Sequence, residues 1–145
     1  MIFVDASAIV AIMTREPGHV NLTLALESAD TAITSPISVY EATAGLCRKR
    51  QISVADARQL VSSFLGLSQI AILAISPAAG EAALDAFDRF GKGRGNAAQL
   101  NLGDCFAYAM AKCHDAALLF TGNDFTSTDI TAATHSSPSL SGKME

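Results

Sequence analysis

The sequence has no tryptophan, and its aromatics are two tyrosines and seven phenylalanines. A core built without large rings has to come from Ala, Leu, Ile and Val. A chain of 145 residues that is 50% hydrophobic supplies enough of these for one domain with a sizeable core. Cysteine is scarce as well. Cys47, Cys105 and Cys113 form no CxxC pair and all fall in helical patterns, which points to reduced, buried thiols in a cytoplasmic protein. His19, His114 and His135 stand apart, none with a partner at metal-ligand spacing, which argues against a zinc site. No apolar run is long enough to span a bilayer. The N-terminal Met1-Ile-Phe-Val4 has no basic flank and soon meets Arg15-Glu16-Pro17, unlike a signal peptide. Positive charge is also short. Ten Lys and Arg against fourteen Asp and Glu give a formal charge of −4, which argues against a nucleic-acid coat protein.

What stands out against this background is the placement of four acids. Asp5 closes the apolar run Met1-Ile-Phe-Val4. Glu41 follows Thr31-Ala-Ile-Thr-Ser-Pro36 by about a helical turn. Asp104 opens Cys105-Phe-Ala-Tyr-Ala-Met110, and Asp124 follows Ala117-Leu-Leu-Phe-Thr121. In an open α/β sheet the carboxyl ends of the strands share one edge, and ligands bind there. Four carboxylates meeting unpaired would repel one another, so a divalent cation is their natural partner. Setting these four aside leaves a chain near neutrality, so the acidity is local and does not exclude an anionic substrate.

The patterns between the acids predict alternating elements. Strands are expected at 1–4, 32–34, 69–75 and 117–121, and helices at 6–14, 19–28, 38–50, 53–67, 77–90 and 103–112. Ser53 and Asp56 fit a capping box, and Arg48-Lys49-Arg50 suits the negative end of a helix dipole. Alternation of strands and helices argues for an α/β domain with a mostly parallel sheet covered on both faces. That domain is expected over 1–134, with 135–145 as a flexible tail.

Each acid also has a purely structural explanation. Asp5 can cap the helix that follows it. Ser38-x-x-Glu41 reads as a capping box, Asp104 sits in a favourable first helical turn, and Asp124 follows Asn123 in a turn. Four caps have no reason to converge on one sheet edge, however, and convergence is what the site reading adds. Gly91-Lys-Gly-Arg-Gly-Asn96 is neither a P-loop nor a dinucleotide fingerprint. It reads either as a flexible connection or as a basic lip in which Arg89, Lys92 and Arg94 reach for phosphates. Arg48-Lys49-Arg50 reads as a solvated helix end. Ser7 lacks a GxSxG context and an obvious His, which leaves it a hydrogen-bonding role toward a carboxylate or a metal-bound water.

At these residues the chain resembles a known family. Ile2-Phe-Val-Asp5-Ala-Ser7 is similar to the opening of PIN-domain nucleases. Leu100-Asn-Leu-Gly-Asp104-Cys-Phe-Ala-Tyr-Ala109 is similar to their third acidic motif, and Thr121-Gly-Asn-Asp124-Phe with Thr128-Asp129-Ile130 to the fourth. Glu41 occupies the place of the second. Within that family the chain resembles the VapC toxins of toxin–antitoxin pairs, although Asn96-Ala97 stands where many relatives have His-Pro. The resemblance covers about residues 1–130. It implies a three-layer α/β/α sandwich and an endoribonuclease dependent on Mg²⁺, with Mn²⁺ able to substitute. Asp5, Glu41, Asp104 and Asp124 would be its catalytic and metal-binding residues, supported by Ser7, Thr121 and Asp129. It also implies a structured RNA substrate, a small cognate antitoxin and a homodimer. Two other readings stay open: a catalytically silent PIN scaffold that binds a partner, and an aspartyl-phosphate phosphotransferase, which would want a second Asp where Ser7 stands.

Overall fold

A computed structural model of the chain describes residues 1–133. The tail expected at 135–145, with His135, lies outside the described residues, as does the domain boundary at 134. Four short strands, β1 (Ile2–Val4), β2 (Ala32–Thr34), β3 (Ile70–Ile72) and β4 (Ala117–Leu119), alternate with six helices. The helices are α1 (Ala6–Met13), α2 (His19–Ser28), α3 (Pro36–Arg50), α4 (Val54–Leu67), α5 (Pro77–Phe90) and α6 (Leu102–Cys113). All strand pairs are parallel, in the order β3-β2-β1-β4.

Strand register sorts the core into two layers. Phe3 pairs with Ile33 on one side and Leu118 on the other, and these three point to one face of the sheet. There they pack with Ala79, Ala83 and Ala86 of α5 and with Ala107 and Met110 of α6. Ile2, Val4, Ala32, Ile70 and Leu119 point to the opposite face, against α1 to α4. The result is a three-layer α/β/α sandwich in which both sheet faces are apolar, as a parallel sheet requires. Alanine is frequent in the core because helices without bulky side chains can approach the sheet closely.

Several expected boundaries move. The strand expected at 69–75 is regular only over Ile70–Ile72, although Leu73 N–H still donates to Thr34 C=O at 2.9 Å. The capping box read at Ser38 and Glu41 does not form. Ser35 caps α3, accepting from Ser38 N–H at 3.2 Å, and Pro36 takes the first turn, where its missing N–H costs nothing. Of the three thiols only Cys105 is buried; Cys47 is partly exposed and Cys113 exposed. Among the described residues no helix is long and apolar enough to cross a membrane.

Candidate active site

The strand order has one switch point. From β1 the chain runs outward through β2 to β3, then returns to place β4 on the other side of β1. Open α/β sheets bind ligands beyond the carboxyl ends of the strands at such a point. Asp5 follows β1 directly, and its N–H donates to Leu119 C=O of β4 at 3.0 Å. Asp5 is only 5% exposed. It does cap α1: its Oδ2 accepts from Ser7 N–H at 3.0 Å and from Ser7 Oγ–H at 2.6 Å. Ser7 Oγ in turn accepts from the Thr121 N–H at 3.2 Å, which ties the start of α1 to the end of β4. The same carboxylate lines the pocket, so Asp5 serves both as cap and as a site residue. Burial raises the Asp5 pKa most; the Ser7 and Ala6 hydrogen bonds oppose this, and Asp124 adds to it.

Glu41 has lost its structural explanation. It lies in the second turn of α3, makes no cap, and among the described residues takes part in no hydrogen bond or ion pair. Its carboxylate rests against Gly103, where a Cβ would overlap it. The glycine of Leu-Asn-Leu-Gly-Asp is thus needed for close approach of a carboxylate to backbone. Burial, then the Asp5 charge, raises the Glu41 pKa. Asp104 sits in a reciprocal capping box: Asn101 Oδ1 accepts from Asp104 N–H at 2.9 Å, and Asp104 Oδ2 accepts from Asn101 N–H at 3.1 Å. Burial is the main cause that lifts its pKa to about 7, and Asp5, Asp124 and Glu41 push in the same direction. Asp124 is exposed on the turn after β4. Its position is set by neighbours: Phe125 is buried against Phe120, and Thr126 bonds back to Asn123 C=O at 2.8 Å.

One pocket brings together Asp5, Glu41, Asp104, Asp124, Ser7 and Thr121. None of its four central acids is in an ion pair with another described residue. Among the described residues no three carboxylate, imidazole or thiolate groups are gathered into a ready-made metal cluster. The donor set nevertheless suits a hard cation that keeps several waters and needs only one or two direct carboxylates, as Mg²⁺ does. It suits zinc poorly, since no His or Cys lines the pocket. Ser7, where an aspartyl-phosphate phosphotransferase would carry a second acid, donates to Asp5 instead.

The other residues singled out by sequence go elsewhere. Asp129 accepts from Tyr108 Oη–H at 2.5 Å, from Arg89 at 3.4 Å and from Lys112 at 3.4 Å, in a clasp joining the segment after β4 to α5 and α6. Arg89 is committed to that clasp. Arg94 pairs with Asp88 at 3.8 Å, and Lys92 borders an apolar groove between α5 and α6. The cations that do line the acidic pocket are Arg48 and Lys49, with Glu16 beside them. A signal for Arg48 was present: residues 41, 45 and 48 recur on one face of α3.

Fold and site together define a class, a parallel α/β/α domain with a carboxylate-lined switch point. The PIN domain family model matches residues 2–130. The chain is 43% identical to the VapC ribonuclease R02377 of Rhizobium meliloti (strain 1021), with 90% of this chain and 99% of that protein covered. It is 37% identical to the VapC ribonuclease Mb2780c of Mycobacterium bovis, covering 90% and 97% of the two chains. Among solved structures it is similar to VapC20 of Mycobacterium tuberculosis, described as a sarcin-ricin loop cleaving toxin, at a TM-score of 0.72 and 15% identity over 95% of this chain and 100% of that one. It is also similar to a chain of a toxin–antitoxin complex from Klebsiella pneumoniae, at a TM-score of 0.64 and 19% identity over 89% and 93%. The chain belongs to the PIN domain family, among the VapC ribonucleases.

Proposed function

We propose that this chain is the toxin of a type II toxin–antitoxin pair, a Mg²⁺-dependent endoribonuclease that hydrolyses phosphodiester bonds of structured RNA. The observation that carries the reading is the meeting of Asp5, Glu41, Asp104 and Asp124 in one pocket, with no cation among the described residues paired to any of them. Asp5, Asp104 and Asp124 hold the ion, with Glu41 completing the set; Mn²⁺ can replace Mg²⁺. The bound ion supplies positive charge at the scissile phosphate and acidifies water. Ser7 holds Asp5 in place through Oδ2. Asn101 orients Asp104 through the reciprocal cap. Glu41, with its raised pKa and no hydrogen bond of its own, orients the attacking water and accepts its proton. Water as nucleophile leaves a 5′-phosphate and a 3′-hydroxyl.

The same reading places the protein in the cytoplasm, as a homodimer, with a small antitoxin as partner. A basic side chain of the antitoxin, inserted among the four acids, replaces the cation's charge with charge-assisted hydrogen bonds. An apolar antitoxin helix lies along residues 8–26 and 39–50, where Val20 and Tyr40 are exposed. Outside the pocket, Lys92 contacts RNA along the Gly-rich loop, and Arg89 and Arg94, while held by Asp129 and Asp88, add positive charge beside it. The test is cleavage of bulk tRNA and rRNA with Mg²⁺ and with EDTA, followed by sequencing of the new 5′ ends. Cleavage that survives EDTA, or ends that lack a 5′-phosphate, overturns the mechanism.

A further inference from the structure

Helix α3 carries a second group at the acidic pocket besides Glu41. Glu41, Gly45 and Arg48 recur at i, i+4 and i+7 and all line it. A Cβ at Gly45 would lie 3.1 Å from Val10 Cγ2 and 3.8 Å from Arg48 Nη2. The guanidinium therefore lies back over Gly45 toward the N-terminal part of α3, the direction in which helical side chains lean and the side on which Glu41 sits. The neighbouring cations are occupied: Lys49 is paired with Glu16, and Arg50 donates to Met13 C=O at 3.0 Å. Among the described residues Arg48 has no ion pair and no hydrogen bond, although five carboxylates share its pocket, Glu16 among them. A cation held at the mouth of an acidic pocket, yet bound to none of its acids, is free for an anion from outside.

We infer that Arg48 is a phosphate-binding residue for RNA. Its planar fork grips a backbone phosphate next to the one being cleaved and so lays the strand across Asp5, Glu41, Asp104 and Asp124. This rests on the ribonuclease reading of that site. The role fits arginine, whose weakly hydrated fork matches phosphate oxygens two at a time. It also answers a difficulty of the site, since a chain of net charge −4 with its acids clustered repels RNA unless local cations guide it in.

The test uses Arg48→Gln and Arg48→Lys in the full chain, with bulk tRNA and rRNA for cleavage and a labelled RNA hairpin for binding in an Asp104→Asn background. Arg48→Gln raises KM about tenfold with kcat nearly unchanged, and lowers the slope of log affinity against log salt by about 1. Arg48→Lys restores the salt slope but only part of the KM, because charge returns without the fork. The Mg²⁺ concentration for half-maximal activity and the Mg²⁺-induced rise in melting temperature stay at wild-type values in both. Wild-type KM and salt slope in Arg48→Gln overturn the proposal. So does an altered Mg²⁺ requirement with the salt slope intact, which would place Arg48 at the metal instead. Failure of the wild type to cleave any RNA with Mg²⁺ counts against the ribonuclease reading, while the hairpin-binding arm still decides Arg48.

Discussion

Asp104 does two things with one carboxylate: Oδ2 closes the cap of α6, and the group faces three other acids. In the metal-free folded protein it holds its proton up to about pH 7, whereas in the unfolded chain it releases it near the ordinary value of 3.8. Between those values the folded state binds more protons, so its stability falls as pH rises through that window. Cation binding needs the ionised form, so Mg²⁺ affinity weakens as pH drops below about 7. Melting temperatures of the metal-free protein from about pH 5 to about pH 8, with Mg²⁺ titrations at each pH, check both trends. Asp104→Asn flattens them; a metal-free protein that grows more stable toward pH 8 contradicts the raised pKa. At Asp5 the expectation differs. Asn caps helices about as well as Asp, so Asp5→Asn keeps α1 in place and removes a buried charge. Its metal-free melting temperature matches or exceeds wild type, while cleavage falls by more than roughly 100-fold, beyond what loss of a supporting contact costs. A clear drop in melting temperature would assign Asp5 chiefly to capping.

At the scale of elements, the site depends on how closely α3 and α6 approach. Gly103 is the contact point, with the Glu41 carboxylate lying where a Cβ would stand. Gly103→Ala pushes Glu41 aside and lowers cleavage roughly 10- to 100-fold, the range typical of disturbed supporting contacts. Circular dichroism remains unchanged, because the clash falls on a side-chain end and not on packed core. Wild-type activity in this variant removes Glu41 from the mechanism. The segment carrying Asp124 is held by a different device, the clasp of Tyr108, Arg89 and Lys112 on Asp129. The Tyr108 hydroxyl is its strongest link: burial, then Asp129, raises its pKa to about 12. Tyr108→Phe loses a charge-assisted hydrogen bond and about 1–2 kcal/mol of stability by denaturant titration. Cleavage falls with it only as far as the Asp124 turn loosens, which hydrogen exchange at residues 123–130 reads directly.

Across the whole molecule, the metal-free fold carries the mutual repulsion of four clustered carboxylates. A ligand that binds only the folded state stabilises it in proportion to its concentration over Kd. Mg²⁺ therefore raises the melting temperature of the wild type, and Asp104→Asn reduces that rise. The antitoxin, expected to fill the same pocket with a basic side chain, competes with Mg²⁺. Its affinity falls as Mg²⁺ is titrated in and when that base is changed to Ala. Co-purification with the product of the neighbouring reading frame, followed by calorimetry at increasing Mg²⁺, checks this. Affinity independent of Mg²⁺ places the antitoxin outside the pocket.

Local chemistry by itself determined the elements. Pro17-Gly18 before His19 delimits α2, and Ser76-Pro77 opens α5, because caps and prolines act within one turn. It also marked each of the four acids, since each follows an apolar run or opens a helix. It misplaced the start of α3, putting the cap at Ser38 with Glu41; Ser35 caps the helix and Pro36 takes its first turn, which leaves Glu41 in the second turn, free of a capping role. Whether the acids meet was decided only by tertiary structure. Asp5 and Asp124 are neighbours because β4 pairs with β1, a long-range choice driven by burial of both sheet faces. The same packing separated basic residues that look alike in sequence. It fixed Arg89 on Asp129 and Arg94 on Asp88, and left Arg48 uncommitted at the carboxylates, because α3 packs on the sheet beside α1 with that face toward the pocket.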